Sequence, residues 1–227
     1  MVNKIVSSIE ETVADLTDGM TVMVGGFGES GTPLALLKAA LDTGARDLTI
    51  ISNNAGREDL GIAALILGKR VRRIICSFPN YKGNDAIRDA VQRGEVELEL
   101  CPQGSLSERI RAGGAGLGGV LTPTGIGTPL EFGKPVYEID GRRYLLERPL
   151  HADFALIQAW KADRWGNLVY RYAQRNFNPL MAMAAKCTAA QVDELVELGG
   201  IDPIHVHTPG IFVARVVQVD RQKQGQS

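Results

Sequence analysis

Residues 18–33 read Asp18-Gly19-Met20-Thr21-Val22-Met23-Val24-Gly25-Gly26-Phe27-Gly28-Glu29-Ser30-Gly31-Thr32-Pro33. The β-rich run 20–24 empties into a cluster of four glycines at 25, 26, 28 and 31. Thr32 and Pro33 then open an apolar helical stretch, Thr32 as the N-cap and Pro33 at the first helical position. A strand, a glycine turn and a helix N-terminus together make an anion site. Bare backbone admits a ligand closely, and free N–H groups with the helix dipole favour negative charge. Gly26, Gly28 and Gly31 also satisfy G-x-G-x-x-G, so a dinucleotide fold has to be weighed.

Outward from this stretch, strand and helix signals alternate. Ile5, Ile9, Val13 and Leu16 repeat at helical spacing behind a Ser7/Glu10 capping box. Helix 33–41 can end at Gly44. Next come a strand at 48–52, an apolar segment at 60–67, a strand at 71–77, a helix capped by Asn84, and a strand at 96–100. Ser105 with Glu108 forms a second capping box, opening a helix that stops at Gly113-Gly114. Such alternation predicts βαβ units and a mainly parallel sheet covered on both faces. Residues 113–133 read as a long glycine-rich loop. Asp140-Gly141 then marks a hairpin turn between strands 136–139 and 143–147. Strands at 154–160 and 168–171, a helix from Asn178-Pro179 and a closing strand at 211–219 follow, while 190–198 fits either period. One domain over 1–219 is expected, with a polar, disordered tail at 220–227.

Composition narrows the class. The chain has 227 residues, enough for one well-buried core, and 44% hydrophobic with 22% charged residues is an ordinary globular profile. A net charge of −1 without a basic block points away from nucleic acid and anionic membranes. No apolar run approaches the roughly 20 residues of a membrane span, and the N-terminus lacks a signal-peptide core. Cys76, Cys101 and Cys187 are widely spaced, as free thiols in a reducing cytoplasm would be. A cytoplasmic protein is expected.

The whole 18–33 string, an acidic residue and Gly, a hydrophobic strand, Gly-Gly-Phe and Gly-x-Pro, resembles the signature of the α subunits of family I coenzyme A transferases. The segments 51–56, 102–104, 108–116, 122–125, 153–156 and 175–177 resemble the same subunits in the same order. The likeness covers about residues 1–219. It implies an open α/β fold with a seven-stranded, mostly parallel sheet and helices on both faces. It also implies a separate or fused β subunit, an α2β2 assembly, and CoA thioesters as substrates with no further cofactor. Within the family, segments 76–79, 149–156, 163–168 and 181–186 look most like the subgroup that moves CoA from succinyl-CoA to 3-oxoadipate. Relatives that use acetoacetate or other short acids are the alternative.

Family I enzymes react through a glutamate in a Ser-Glu-Asn-Gly motif of the β subunit, passing through a glutamyl-CoA thioester. This chain lacks that motif, so no catalytic nucleophile is expected in it; Glu29 falls at a variable position of the signature. The chain's expected share is substrate positioning. Gly25, Gly26 and Phe27 would present backbone N–H groups to a carboxylate or an oxyanion. Asn53 and Asn54 end a strand, where only one of two neighbouring side chains can face a ligand. Gln103 lies in the same zone, and for each amide a turn is as natural a role as substrate contact. Gly114 and Gly116 belong to a loop that could hinge, approach a ligand closely, or merely connect. For the remote carboxylate of 3-oxoadipate, Arg109, Arg111 and Lys161 are candidates of equal standing. His205 and His207 straddle Val206 on an expected strand face, but nothing completes a metal set.

Two rival classes read less well. A nicotinamide-dependent oxidoreductase needs an acid at the end of the second strand, which here is Ser52-Asn53-Asn54, with Asp47 at the opposite end. A sugar-sensing regulator of this general fold needs an appended DNA-binding module, and the first helix feeds straight into the sheet.

Overall fold

β1 (Thr21–Val24) is the middle of the molecule, pairing in parallel with β2 (Leu48–Asn54) on one side and β8 (Ala152–Ala162) on the other. The computed structural model describes residues 2–79 and 85–219. β3 (Val71–Phe78) and β4 (Glu97–Leu100) extend the sheet beyond β2, while β10 (Ala185–Leu195) and β11 (Arg215–Gln218) extend it beyond β8. The order is β11-β10-β8-β1-β2-β3-β4, all seven parallel, and β9 (Leu168–Val169) folds back antiparallel on β8. This is the seven-stranded parallel sheet the sequence implied.

Strand alternation divides the interior into two cores. Val22, Val24, Ile50, Ile74 and Leu156 pack under α1 (Leu34–Asp42), α2 (Ile62–Leu67) and α3 (Asp85–Gln92). Their neighbours Met23, Ile51, Ile75 and Ile157 face α4 (Gln103–Gly114) and α5 (Asn178–Ala184). Apolar side chains on both faces of one strand are what a fully covered parallel sheet demands.

Several local readings give way to tertiary contacts. The first helix is only a 3-10 turn, Glu10–Val13, because residues 4–6 are drawn onto β11, where Val6 N donates to Val216 O at 2.9 Å. Ser7 Oγ bonds Glu11 at 2.6 Å rather than closing a box with Glu10. α4 starts at Gln103 behind Pro102, so Ser105 lies inside the helix with a buried, unpartnered hydroxyl. The glycine-rich stretch holds β5 (Val120–Thr122), too short for its alternation to show. β5 pairs with β7 (Arg142–Glu147), and β7 with β6 (Val136–Ile139) across the Asp140-Gly141 turn, making a small antiparallel sheet. The ambiguous segment 190–198 belongs to β10 as far as Leu195, held in register by β8. In the expected closing strand, Gly210–Phe212 is a 3-10 turn and only Arg215–Gln218 pairs. The Asn84 cap and the 220–227 tail lie outside the described residues.

The N-terminus of α1 is capped from a distance. Thr32 Oγ1 donates to Gly28 O at 3.1 Å, so it does not serve the helix. The Oε1 of Gln191, on β10, accepts instead from Ala35 N at 3.1 Å and Leu36 N at 3.2 Å. Gln191 is buried, and so is its bond to Leu36 N, an amide that has no water to fall back on. We predict that Gln191→Leu lowers unfolding free energy by about 1–3 kcal/mol, the cost of stranding buried donors. Chemical denaturation checks it, and a loss below about 0.5 kcal/mol would show that another acceptor replaces the amide.

Candidate functional site

The chain leaves β1 for β2, β3 and β4 on one side, then returns to build β8, β10 and β11 on the other. β1 therefore flanks the switch point of the sheet, where open α/β folds leave a crevice at the strands' carboxyl ends. Gly25 and Gly26 sit at that end of β1, and Ser52, Asn53 and Asn54 at that end of β2. They line one cavity of about 540 Å³, with the turn at 28–32 and the loop from Gly56 to Ile62.

The cavity wall is set by Asn178, which is fully buried at the start of α5. Its Oδ1 accepts from Gln158 N of β8 at 3.1 Å, and its Nδ2 donates to Gly31 O at 3.1 Å and Gln174 O at 2.7 Å. A Cβ at Gly25 would lie 1.8 Å from that Oδ1, so residue 25 has to be glycine for the amide to reach the sheet. Gly26 has φ +115°, and a Cβ there would meet Thr32 Oγ1 at 2.3 Å. Both positions are closed to side chains by geometry and packing together.

Few of the expected anion-binding N–H groups remain open. Gly25 N donates to Leu156 O at 3.0 Å, and Phe27 N donates to Ser30 O at 3.0 Å inside a tight turn. Ala35 N and Leu36 N are taken by Gln191. Of the three amides at 25–27, only that of Gly26 has no acceptor among the described residues. The helix terminus is thus sealed, and the glycine stretch offers the Gly26 amide together with those of the turn at 28–32 that have no acceptor among the described residues.

The two asparagines divide as strand alternation requires. Asn54 faces the loops beside the cavity, where its Oδ1 accepts from Gly56 N at 3.0 Å. The Oδ1 of Asn53 instead accepts from Ser77 Oγ at 2.9 Å and Gln103 Nε2 at 2.7 Å. Gln103 thus reaches the site through Asn53 and does not itself line the cavity. Phe27 is half-exposed beside the mouth. Gly114 sits in α4 with Met183 against it, Gly116 faces open space, and neither borders the cavity.

The cavity holds no free nucleophile among the described residues. Ser52 Oγ is engaged by Asn54 O at 2.6 Å. Glu29 is ion-paired across the mouth to Arg57, which also bonds Glu58 at 3.1 Å. These two carboxylates hold the Arg57 guanidinium above its usual pKa. Burial pushes the Cys76 thiol up to about 12 and raises that of Cys101, so neither supplies a thiolate. Arg109, Arg111 and Lys161 are all committed elsewhere, to Glu99 at 2.8 Å, to Glu108, and to Glu194 at 2.9 Å. His205 lies in a 3-10 turn instead of a strand, and His207 Nδ1 accepts from Tyr170 N at 3.0 Å. That acceptor role needs a neutral ring, and burial and the nearby Arg175 hold His207 below its usual pKa.

A second cavity of about 560 Å³ shares Glu29, Thr32 and Leu34 with the first, and opens between the turn after β1 and Gln158 of β8, beside residues 171–174. Sequence reading gave no sign of Gln158, Asn178 or Gln191. Asn178 and Gln191 act through contacts more than a hundred residues away, which no local pattern records.

The fold agrees with known proteins. Residues 6–219 match the family described as Coenzyme A transferase. This chain belongs to the coenzyme A transferase family. It is 57% identical over 219 residues to a 3-oxoadipate CoA-transferase subunit of Pseudomonas putida, covering 96% of this chain and 95% of that one. It is 50% identical to the subunit of the same name from Acinetobacter baylyi, over 96% of each chain. A crystal structure of an acyl-CoA transferase from E. coli O157:H7, in a thioester complex with CoA, superposes with a TM-score of 0.85 at 26% identity. The match covers 99% of this chain and 48% of that one.

The Gly25–Asn178 contact should read out as an interaction energy. Gly25→Ala and Asn178→Ala should each destabilise the protein, the latter by about 2–4 kcal/mol as buried partners lose their bonds. The double variant should be clearly more stable than the summed losses, because removing the amide makes room for the methyl group. Strict additivity in denaturant melts would show that the two residues do not compete for this space.

Proposed function

We propose that this chain is the member of a two-subunit CoA-transferase that binds the acyl portion of the substrates, while its partner brings the nucleophile, in the reducing cytoplasm. The assembled enzyme moves CoA from succinyl-CoA to 3-oxoadipate. The observation that carries this reading is the 57% identity, nearly end to end, with a 3-oxoadipate CoA-transferase subunit. The cavity supports it, since its donors are suited to holding an acyl oxygen and its acids, Glu29 and Glu58, are tied to Arg57.

In this scheme a glutamate of the partner attacks the thioester carbonyl and expels the CoA thiolate, leaving a mixed anhydride. The thiolate returns to the glutamyl carbonyl, succinate departs, and the acceptor carboxylate repeats the sequence in reverse. The Gly26 N–H and the Asn53 carboxamide face charge that develops on oxygen in these steps. Gln103 and Ser77 fix the Asn53 amide so that its NH2 is the free end. No cofactor is needed beyond the thioester substrates.

The purified chain should show no transferase activity, and adding a β-type partner should restore it, with 3-oxoadipate preferred over acetoacetate. Turnover by rigorously partner-free protein would overturn the division of labour; a preference for acetoacetate would overturn the substrate. Gln103→Ala should lower kcat/KM about ten- to hundredfold with an unchanged Tm, as a positioning bond is lost. An unchanged kcat/KM with a lower Tm would make Gln103 a structural residue only.

A further inference from the structure

The second cavity, between the turn after β1 and β8, contains two polar side chains that the fold leaves largely unused. Gln158, on β8, is 7% exposed, yet its carboxamide makes no hydrogen bond among the described residues. Its amide atoms are not sealed inside the protein, so they are free to bond what enters the cavity. Arg171, on the rim, forms no ion pair among the described residues; its one side-chain donation is to the Tyr172 hydroxyl at 3.3 Å. Its guanidinium rests 5.3 Å from the Trp160 ring and 4.9 Å from the Tyr172 ring. Tyr172 is 84% exposed and non-glycine, and it holds φ +51°, which is strained. A positioned guanidinium without a counter-charge, beside an unpaired amide, is a carboxylate receptor.

Charge separates the two cavities. The first carries Glu29, Glu58 and a single cation, Arg57, which both acids engage. A second carboxylate of a substrate would be repelled there. The second carries Arg171, and its only acid is Glu29, already neutralised by Arg57. The two cavities adjoin at Glu29, Thr32 and Leu34.

We propose that the second cavity receives the remote carboxylate of a dicarboxylic acyl acceptor, with Arg171 as its charge partner and Gln158 as a further donor. This rests on the reading that the enzyme uses 3-oxoadipate, and it assigns the residues that separate that acid from a monocarboxylic 3-oxo acid.

The test uses the assembled complex with 3-oxoadipate and with its ester masked at the remote carboxyl. In a ping-pong scheme kcat/KM for the acceptor reports its own half-reaction. The native complex should prefer the free diacid by about ten- to hundredfold, and Arg171→Met should remove most of that preference. Arg171→Lys should retain part of it, which guards against a variant that merely assembles poorly. An undiminished preference in Arg171→Met overturns the assignment while the substrate reading stands. An equal rise in KM for every CoA thioester also overturns it, placing Arg171 at a phosphate of CoA. A native complex that ignores both diacid and ester overturns the substrate reading itself.

Discussion

The Asn178 carboxamide holds together four segments that are far apart in the chain. It joins the end of β1, the turn at Gly31, the backbone of β8 and the turn ending at Gln174. Each bond satisfies a backbone group that the sheet cannot serve at its carboxyl edge, where parallel strands run out of neighbours. An isolated turn of glycines would be floppy; anchored to a buried amide it becomes a fixed wall. The glycines at 25 and 31 are the space this amide occupies, so their role is as much accommodation as ligand access.

That anchoring changes the electrostatics of the site. A helix N-terminus behind a glycine turn suggests a field of open donors. Here the donors have been spent internally: Gln191 closes α1, Ser30 takes the Phe27 amide, and Leu156 takes that of Gly25. What remains is directional: the Gly26 N–H, the unpaired amides of the turn at 28–32 among the described residues, and side-chain amides held by their neighbours. A site of that kind can hold an oxygen on which charge develops.

The sequence displayed the sheet because Val22–Val24, Ile50-Ile51 and Ile74–Cys76 are apolar on both faces, a pattern that burial between two helical layers explains. The site motif at 25–31 and the asparagines at 53 and 54 were legible for a similar reason, since they sit where strands end. Helix beginnings were read less well. Ser7, Thr32 and Ser105 have the right residue type for capping, yet the Glu11 carboxylate, a turn carbonyl and a helix interior claimed them. β5 escaped notice because three residues carry no periodicity. The amides that organise the site were invisible because glutamine and asparagine look alike in a sequence whether they face water or a backbone far along the chain.

The pairing of β1 with β8 has a consequence for how the chain is made. Phe154 follows its partner Val22 by 132 residues, so the central strand waits for one neighbour long after the other is in place. At roughly 5–20 residues per second of synthesis, that interval is on the order of ten seconds. Throughout it the half-sheet of β1 to β4 presents Val22, Met23 and Val24 along an open edge, an invitation to mispairing with other nascent chains. Translation speed and chaperone supply over residues 25–154 should therefore govern the yield of native subunit more than the stability of the finished fold does.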